Sequence, residues 1–221
     1  MEKIAVAAIN HKGGVGKTTL AIILAQMALM KRHKVLAIDL DPQRNFTDGL
    51  SFIRGYFEGA LRVKSEIEPG DSEAEEDWIV LDCPPALGTA AKAALELADL
   101  AMVPVRPDFF SLSNLGVLYA FAREGGKDMS QLPLVKVGYD TTRLSRMAET
   151  VLAEKGYPVA GRVPLHRLIP YNVTSGRIWS TGLTADARRP YEEMFGRLTR
   201  AYQRMLQGDF QGAWRDRDAG A

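Results

Sequence analysis

Residues 4–19 read IAVAAINHKGGVGKTT, an apolar run followed by a loop rich in glycine and lysine. The apolar residues 4–9 predict a buried strand, and residues 17–31 predict a helix because their apolar side chains recur at helical spacing. Glycines allow the loop between them to turn its backbone N–H groups around an anion, and the helix adds the positive end of its dipole. This stretch therefore predicts a phosphate-binding loop that opens an α/β fold.

The same alternation of strand and helix continues along the chain. The predicted strands cover 35–39, 78–82, 100–105 and 134–137, and the predicted helices cover 90–98, 112–123, 142–154 and 190–207. Strands separated by helices are typical of a parallel sheet with helices on both faces. We therefore predict an α/β fold of P-loop NTPase type, in which helices flank both faces of a mostly parallel, twisted sheet.

Length and composition are those of an ordinary globular protein. The chain has 221 residues, of which 46% are apolar and 25% charged, and these values exclude collagen-like, low-complexity and wholly disordered proteins. No stretch rich in proline, glycine or serine divides it, so we predict one domain over residues 1–208, followed by a polar, flexible tail over 209–221. Residues 65–77 include an acidic run and predict a solvated loop.

Charge and reactive residues exclude several classes of function. The net charge of +1 predicts neither a nucleic acid nor a membrane as partner, although residues 141–221 carry a net +5 and so predict a basic surface. The single cysteine, Cys83, excludes an intrachain disulfide and a cysteine-ligated cluster within one chain. No apolar stretch approaches the ~20 residues of a membrane-spanning helix. We expect a cytoplasmic protein.

The phosphate loop carries the first set of candidate ligand groups. Its nucleotide-binding residues are predicted to be Gly13, Gly14, Val15, Gly16, Lys17, Thr18 and Thr19. We expect Lys17 to reach the β- and γ-phosphates and the Thr18 hydroxyl to ligate Mg²⁺. The general P-loop pattern has a glycine five positions before Gly16, where this chain has His11. The strand before the loop and the helix after it match that pattern.

Carboxylates follow two of the predicted strands. Asp39 and Asp41 lie at the end of the strand over 35–39, and Asp82 ends the strand over 78–82. In open α/β sheets, ligands bind beyond the carboxyl ends of the strands, so these carboxylates are expected beside the phosphate loop. We predict that Asp82 holds Mg²⁺ through water.

Residues 12–18 resemble the loop KGGxGKT of the ParA/MinD family of deviant Walker ATPases and match it in full. The resemblance implies that Lys12 reaches the nucleotide of the partner subunit across a dimer interface. Residues 39–45, DLDPQRN, resemble the family's D-x-D-P-Q-x-N. This implies that Asp41 positions or activates the attacking water and that Asp39 supports the Mg²⁺ shell. Arg44 is a departure, because relatives often have glycine at this position.

The resemblance extends over nearly the whole chain. Residues 82–85, DCPP, resemble the family's D-x-P-P. Val163 and Pro164 resemble its later V/I-P turn near the base, which assigns Pro164 to adenine binding, although residues 169–170 offer a second Ile-Pro pair. The short stretch between Asp41 and Asp82 looks like the compact plasmid partition subclass.

The family resemblance also implies a functional cycle. ATP and Mg²⁺ are the implied cofactors, Lys12, Lys17 and Asp41 the implied catalytic residues, and a nucleotide-sandwich homodimer the implied active form. This dimer would bind nucleoid DNA without sequence preference, and a ParB-like or other partner protein would stimulate hydrolysis. The cycle would position a plasmid, a chromosome region or a protein assembly. The candidate DNA-binding residues lie on or just before the last predicted helix: Arg188, Arg189, Arg197, Arg200 and Arg204.

Two alternative functions remain open. A MinD-like protein that cycles on a membrane would end in a basic amphipathic helix, and Phe210 and Trp214 are spaced for one. Asp209 and two nearby glycines disfavour that helix, so we expect no membrane attachment. The second alternative is a small-molecule synthetase of the same superfamily, against which Lys12 and the D-x-D-P-Q motif argue.

Overall fold

The computed structural model describes residues 2–175 and 177–215, and a parallel sheet forms its centre. The strands in this part of the chain are β1 (Ile4–Ala8), β2 (Val35–Asp39), β3 (Leu61–Lys64), β4 (Trp78–Asp82), β5 (Leu100–Val105), β6 (Leu134–Val137) and β7 (Val159–Val163). They lie in the order β3-β2-β4-β1-β5-β6-β7, and every neighbouring pair is parallel. The predicted fold class is therefore confirmed.

Helices cover both faces of this sheet. Those within the described residues are α1 (Lys17–Met30), α2 (Asn45–Ser51), α3 (Thr89–Leu97), α4 (Phe109–Ser113), α5 (Leu115–Glu124), α6 (Arg143–Glu154), α7 (Leu168–Thr174) and α8 (Ala185–Leu206). Buried side chains of α1, α7 and α8 pack on one face, and those of α3, α5 and α6 pack on the other.

The central strand β1 contributes to both hydrophobic cores. Ile4, Val6 and Ala8 belong to the core under α1 and α8, whereas Ala5 and Ala7 belong to the core on the opposite face. Strand side chains alternate between faces, so a strand buried on both sides is apolar at every position. Long apolar runs of this kind, interrupted only by Lys136 and the final aspartates of β2 and β4, made β1, β2, β4, β5 and β6 predictable to within one residue at their ends.

The two edge strands, β3 and β7, were not predicted. β7 falls where we expected only a turn before Pro164, and Gly161 in its middle interrupts the apolar pattern that identifies a strand. A Cβ atom on Gly161 would lie 3.0 Å from the Cβ of Met194, so α8 packs directly on bare backbone here. The glycine thus permits the close contact between β7 and α8.

Two of the predicted helices differ from the structure by more than one residue. The predicted helix over 112–123 is two helices, because Asp108 caps α4 through Ser111 N (2.9 Å) and α5 begins separately at Leu115. α8 begins at Ala185, five residues before the predicted start, because the Thr184 side chain accepts a hydrogen bond from Ala187 N. Pro190 therefore lies inside the helix rather than at its start.

Residues 209–215 were expected to begin a flexible tail, but they fold back on the domain. Arg204 Nη1 donates to the carbonyl oxygen of Gly212 (2.7 Å), and Trp214 Nε1 donates to that of Ser130 (2.6 Å). Residues 216–221, the remainder of the expected tail, lie outside the described residues. None of the helices in the described ranges combines the length and apolarity needed to cross a membrane.

Candidate active site

The loop between β1 and α1 is anchored near its start, at Asn10. Asn10 is buried, its Nδ2 donates to the carbonyl oxygen of Pro104 at the end of β5 (2.8 Å), and its Oδ1 accepts from Lys12 N (3.0 Å). Gly14 and Gly16 adopt φ values of 72° and 104°, in the left-handed region that favours glycine. Asn10 was not singled out from the sequence, because a lone asparagine after a strand has no distinctive spacing.

The loop borders an open space suited to phosphate. A Cβ atom built on Gly13 or Gly14 would meet no heavy atom within 4 Å, and the first N–H groups of α1 follow directly. Lys17 is buried, and its Nζ contacts the carbonyl oxygen of Lys12 at 3.3 Å. Burial lowers the pKa of Lys17, while Asp82 and Asp41 nearby oppose that shift. The loop therefore combines backbone donors with one inward cation.

Asp82 lies directly beside the loop threonine. Thr18 Oγ1 donates to Asp82 Oδ2 at 2.6 Å, and Asp82 Oδ1 is buried with no hydrogen-bond partner in residues 2–175 and 177–215. Burial raises the pKa of Asp82 to about 7; the Thr18 hydrogen bond opposes this rise and neighbouring Asp39 adds to it. An orphaned buried carboxylate oxygen costs free energy, and a cation would remove that cost.

The donor set near Asp82 fits Mg²⁺. Asp39 and Asp82 are register partners on adjacent strands, so their carboxylates leave the sheet side by side. The described residues contain no cluster of three or more aspartate, glutamate, histidine or cysteine ligands for a metal. Mg²⁺ is commonly held by one or two carboxylates together with water and substrate phosphates, so few protein ligands suffice. Thr18, Asp39 and Asp82 would hold the ion beside the phosphate loop.

A tight turn after β2 orients Asp39 and Asp41. Asp39 Oδ2 accepts from Thr47 N (2.8 Å) and Thr47 Oγ1 (2.9 Å), and Asp39 Oδ1 accepts from Asp41 N (3.2 Å). Asp41 is only partly buried, and its Oδ1 accepts from Gln43 N (3.0 Å). Thr47 thus positions Asp39, a role that the D-x-D-P-Q spacing alone did not indicate.

The departure at Arg44 has a structural counterpart in this turn. Arg44 adopts φ 58°, ψ 21°, in the left-handed region, and its backbone N–H donates to the carbonyl oxygen of Asp41 (3.0 Å). A residue with a Cβ adopts this conformation at a cost, whereas glycine does not. The turn therefore has the backbone geometry for which glycine is best suited.

Lys12 does not point freely into solvent. Its Nζ lies 2.6 Å from Asp108 Oδ1 and 3.1 Å from Ser111 Oγ, at the start of α4. Partial burial would raise the pKa of Asp108, but hydrogen bonds from Lys12 and Ser111 outweigh it and keep that pKa below its usual value. Asp108 and Ser111 escaped prediction because they are distant from Lys12 in sequence.

The remaining predicted site residues lie farther from the loop. Pro164 follows β7, so it lies at the carboxyl ends of the strands, as the loop does. β7, however, is the outermost strand of the sheet, whereas the loop follows the central strand β1. The carbonyl oxygen of Pro164 accepts from the Tyr191 hydroxyl, which joins this turn to α8.

The predicted DNA-binding arginines are on α8, and they differ in their contacts. Arg189 pairs with Glu193, and Arg204 binds backbone carbonyls of the C-terminal turn.

Comparisons with known proteins agree with this geometry. A family model described as AAA domain matches residues 1–67 and 59–131, more than half of the chain. The chromosome-partitioning ATPase Soj of Thermus thermophilus is 31% identical over 223 residues, covering 84% of this chain and 88% of that relative.

Solved structures share the fold at lower identity. A plasmid partition protein of Borrelia burgdorferi B31 bound to AMPPNP has a TM-score of 0.72 and 21% identity, covering 89% of this chain and 98% of that one. The MinD cell division protein of Aquifex aeolicus has a TM-score of 0.71 and 20% identity, covering 89% and 97%. Both matches show that the fold is similar, and their TM-scores and sequence identities are nearly equal.

Proposed function

The chain belongs to the ParA/MinD family of P-loop ATPases, and we propose that it is a positioning ATPase whose ATP-bound homodimer binds DNA without sequence preference. Hydrolysis, stimulated by a ParB-like or other partner, would release the DNA and move a cargo. The observation that carries this proposal is that Lys17, Thr18 and three aspartates meet at the carboxyl ends of the central strands, where the Lys12 carbonyl contacts Lys17.

Each residue of this edge has a proposed task. The loop N–H groups and Lys17 bind the β- and γ-phosphates, and Thr18, Asp39 and Asp82 hold Mg²⁺. When bound, the ion neutralises charge that develops on the phosphate oxygens. Asp41, the least buried of the three aspartates, orients the attacking water and accepts its proton.

Lys12 has two competing partners in this proposal. Within one chain it is held by Asp108 and Ser111. To reach the partner subunit's nucleotide, it exchanges this ion pair for phosphate oxygens, a partner of higher negative charge. Asp108 is about one-third exposed, so the pair forfeited is a weak one. Lys12 thereby links nucleotide occupancy to dimerisation.

Dimer formation is tested by comparing Lys12→Ala with Lys92→Ala, a solvent-exposed lysine on α3. Light scattering with a non-hydrolysable ATP analogue should show a dimer for the wild type and Lys92→Ala, and a nucleotide-bound monomer for Lys12→Ala. An analogue-dependent Lys12→Ala dimer with wild-type turnover would reject this role for Lys12.

DNA binding by α8 is tested separately. Arg197→Glu combined with Arg200→Glu should weaken binding to unrelated DNA sequences alike and flatten its salt dependence, since fewer counterions are released. Mobility shifts at two salt concentrations, with and without ATP, measure this. Arg54→Glu combined with Lys92→Glu makes the same charge change on other elements and should retain binding.

The same preparation separates DNA from membrane. The wild type should shift DNA only with ATP and should not float with anionic vesicles in either nucleotide state. Packing of Trp214 against the Ser130 carbonyl supports this expectation, because that indole is engaged within the domain. ATP-dependent flotation without a DNA shift would instead favour a membrane-cycling regulator.

A further inference from the structure

A second cavity lies at the other end of α1 from the phosphate loop. It has a volume of about 530 Å³ and is bounded by the last turn of α1, the segment around Trp179 and the first half of α8. α1 has 14 residues, so the cavity is about 20 Å from the loop at the usual helical rise. A volume of this size is within the range of small-molecule sites.

The floor of this cavity is apolar. Met27, Trp179 and Phe195 line it from below and are buried, whereas Met30 is 49% exposed beside them. Lys31 Nζ lies 5.7 Å from the centre of the Phe195 ring, over its face. An aliphatic or aromatic body would bury apolar area against Met30 and its neighbours.

Buried donors next to this floor lack acceptors. Trp179 is 2% exposed, and its Nε1–H has no hydrogen-bond partner in the described part of the chain. The same holds for Nε of Arg188, which also lines the cavity, and for Nε2 of buried Gln26, whose Oε1 accepts from Trp179 N (2.6 Å). Unsatisfied buried donors are costly, so an acceptor that meets them binds favourably.

Positive charge surrounds the same space. Lys31, Arg188 and Arg200 line the cavity, and within residues 2–175 and 177–215 none of them forms an ion pair. The Arg200 guanidinium folds back over Gly196, where a Cβ atom would lie 3.1 Å from Nη1. Glu192 is exposed and is the one acidic side chain among the described lining residues. The cavity therefore favours an anion.

We propose that this cavity binds a small amphipathic anion, a carboxylate with an apolar body, independently of the nucleotide site. The carboxylate oxygens accept from Trp179 Nε1 and Arg188, and the apolar body lies against Met30, above Met27 and Phe195. Hydrogen bonding to two donors distinguishes a carboxylate from an alcohol of the same chain length. The proposal does not rest on the function assigned to the phosphate loop.

The test compares decanoate with decanol by isothermal titration calorimetry on the full chain. Decanoate should bind at one site, and decanol, which lacks the charge, should bind about tenfold more weakly or less well still. Trp179→Phe keeps most of the ring but removes the donor, and Arg188→Gln removes the charge. Each should weaken decanoate binding about tenfold, and Arg188→Gln should leave the binding of uncharged decanol unchanged.

Two variants serve as matched controls. Trp214→Phe removes an indole donor elsewhere, and Arg189→Gln removes the adjacent, exposed arginine; both should bind decanoate as the wild type does. Circular dichroism melts establish that each variant is folded. The proposal is overturned if decanoate shows no saturable binding, which would mean a cavity filled by water only. Equal affinity for decanoate and decanol, or wild-type affinity in both Trp179→Phe and Arg188→Gln, would overturn it as well.

Discussion

The two ends of α1 carry different arrangements of charge. At the first end, the carboxylates of Asp41 and Asp82 lie near the Lys17 ammonium, and Asp82 accepts from the Thr18 hydroxyl. Positive and negative charge therefore share one small space. At the other end, Lys31 shares a cavity with arginines and an apolar floor. The first arrangement suits a phosphate that brings a divalent cation, and the second suits an anion with no accompanying metal.

The helix dipole explains part of this difference. The N-terminal end of α1 is positive and attracts phosphate, whereas the C-terminal end is negative and stabilises a cation such as Lys31. The dipole alone would therefore oppose an anion at the second end. Side chains from α8 reverse that preference, so the helix biases each site and its neighbours decide the ligand.

The largest expected effect comes from removing the lysine at the first end. Lys17→Ala should weaken binding of a fluorescent ATP analogue by about a thousandfold, because it deletes charge-assisted contacts to two phosphates. Lys31→Ala, at the other end of the same helix, should leave that affinity within about twofold. An equal loss of affinity for the ATP analogue in both variants would show that nucleotide binding does not distinguish the two ends of α1.

Removing Asp41 should separate binding from chemistry. Asp41→Ala should keep nucleotide affinity but reduce the rate of ATP hydrolysis by about a hundredfold, the usual contribution of a general base. Asp48→Ala deletes an exposed carboxylate from neighbouring α2 and should retain the rate. Phosphate release is the measurement. If Asp41→Ala hydrolyses ATP at the wild-type rate, another residue orients the attacking water and accepts its proton.

The arginines of α8 should differ in their contribution to stability. Arg204→Ala removes hydrogen bonds to two backbone carbonyls of the C-terminal turn and should lower the free energy of unfolding by about 1–2 kcal/mol. Arg189→Ala breaks an exposed ion pair and should cost less than about 0.5 kcal/mol. Urea unfolding of both variants gives the comparison. If Arg204→Ala lowers the free energy of unfolding no more than Arg189→Ala does, the contacts of Arg204 with the C-terminal turn contribute no stability.

The smallest expected effect is a gain in stability. Arg44→Gly should raise the free energy of unfolding by about 0.5–1 kcal/mol, because glycine relieves the left-handed conformation. Arg32, with φ 67°, should respond in the same direction when replaced by glycine. Arg54→Gly provides the contrast and should destabilise, since Arg54 is absent from the described non-glycine residues with positive φ.

The sequence predicted what local spacing and the alignment of strand ends determine, and it missed contacts that neither of these brings together. The phosphate loop follows from spacing within one segment, and Asp39 and Asp82 meet because parallel register aligns strand ends. The Lys12–Asp108 contact joins residues 96 apart, and Trp214 reaches Ser130 across 84. Periodicity carries no information about such contacts. It also missed β7, where Gly161 replaces the apolar side chain that would have marked the strand.

The position of β1 governs when the protein can fold during its synthesis. β1 is synthesised before its partners β4 and β5, which begin at Trp78 and Leu100. A contact just before β1 forms later still. The Tyr202 hydroxyl donates to the carbonyl oxygen of Lys3 (2.7 Å), and these two residues are 199 positions apart. Contacts this remote in sequence slow folding. The apolar side chains of β1 therefore stay without their strand partners until β4 and β5 have been translated.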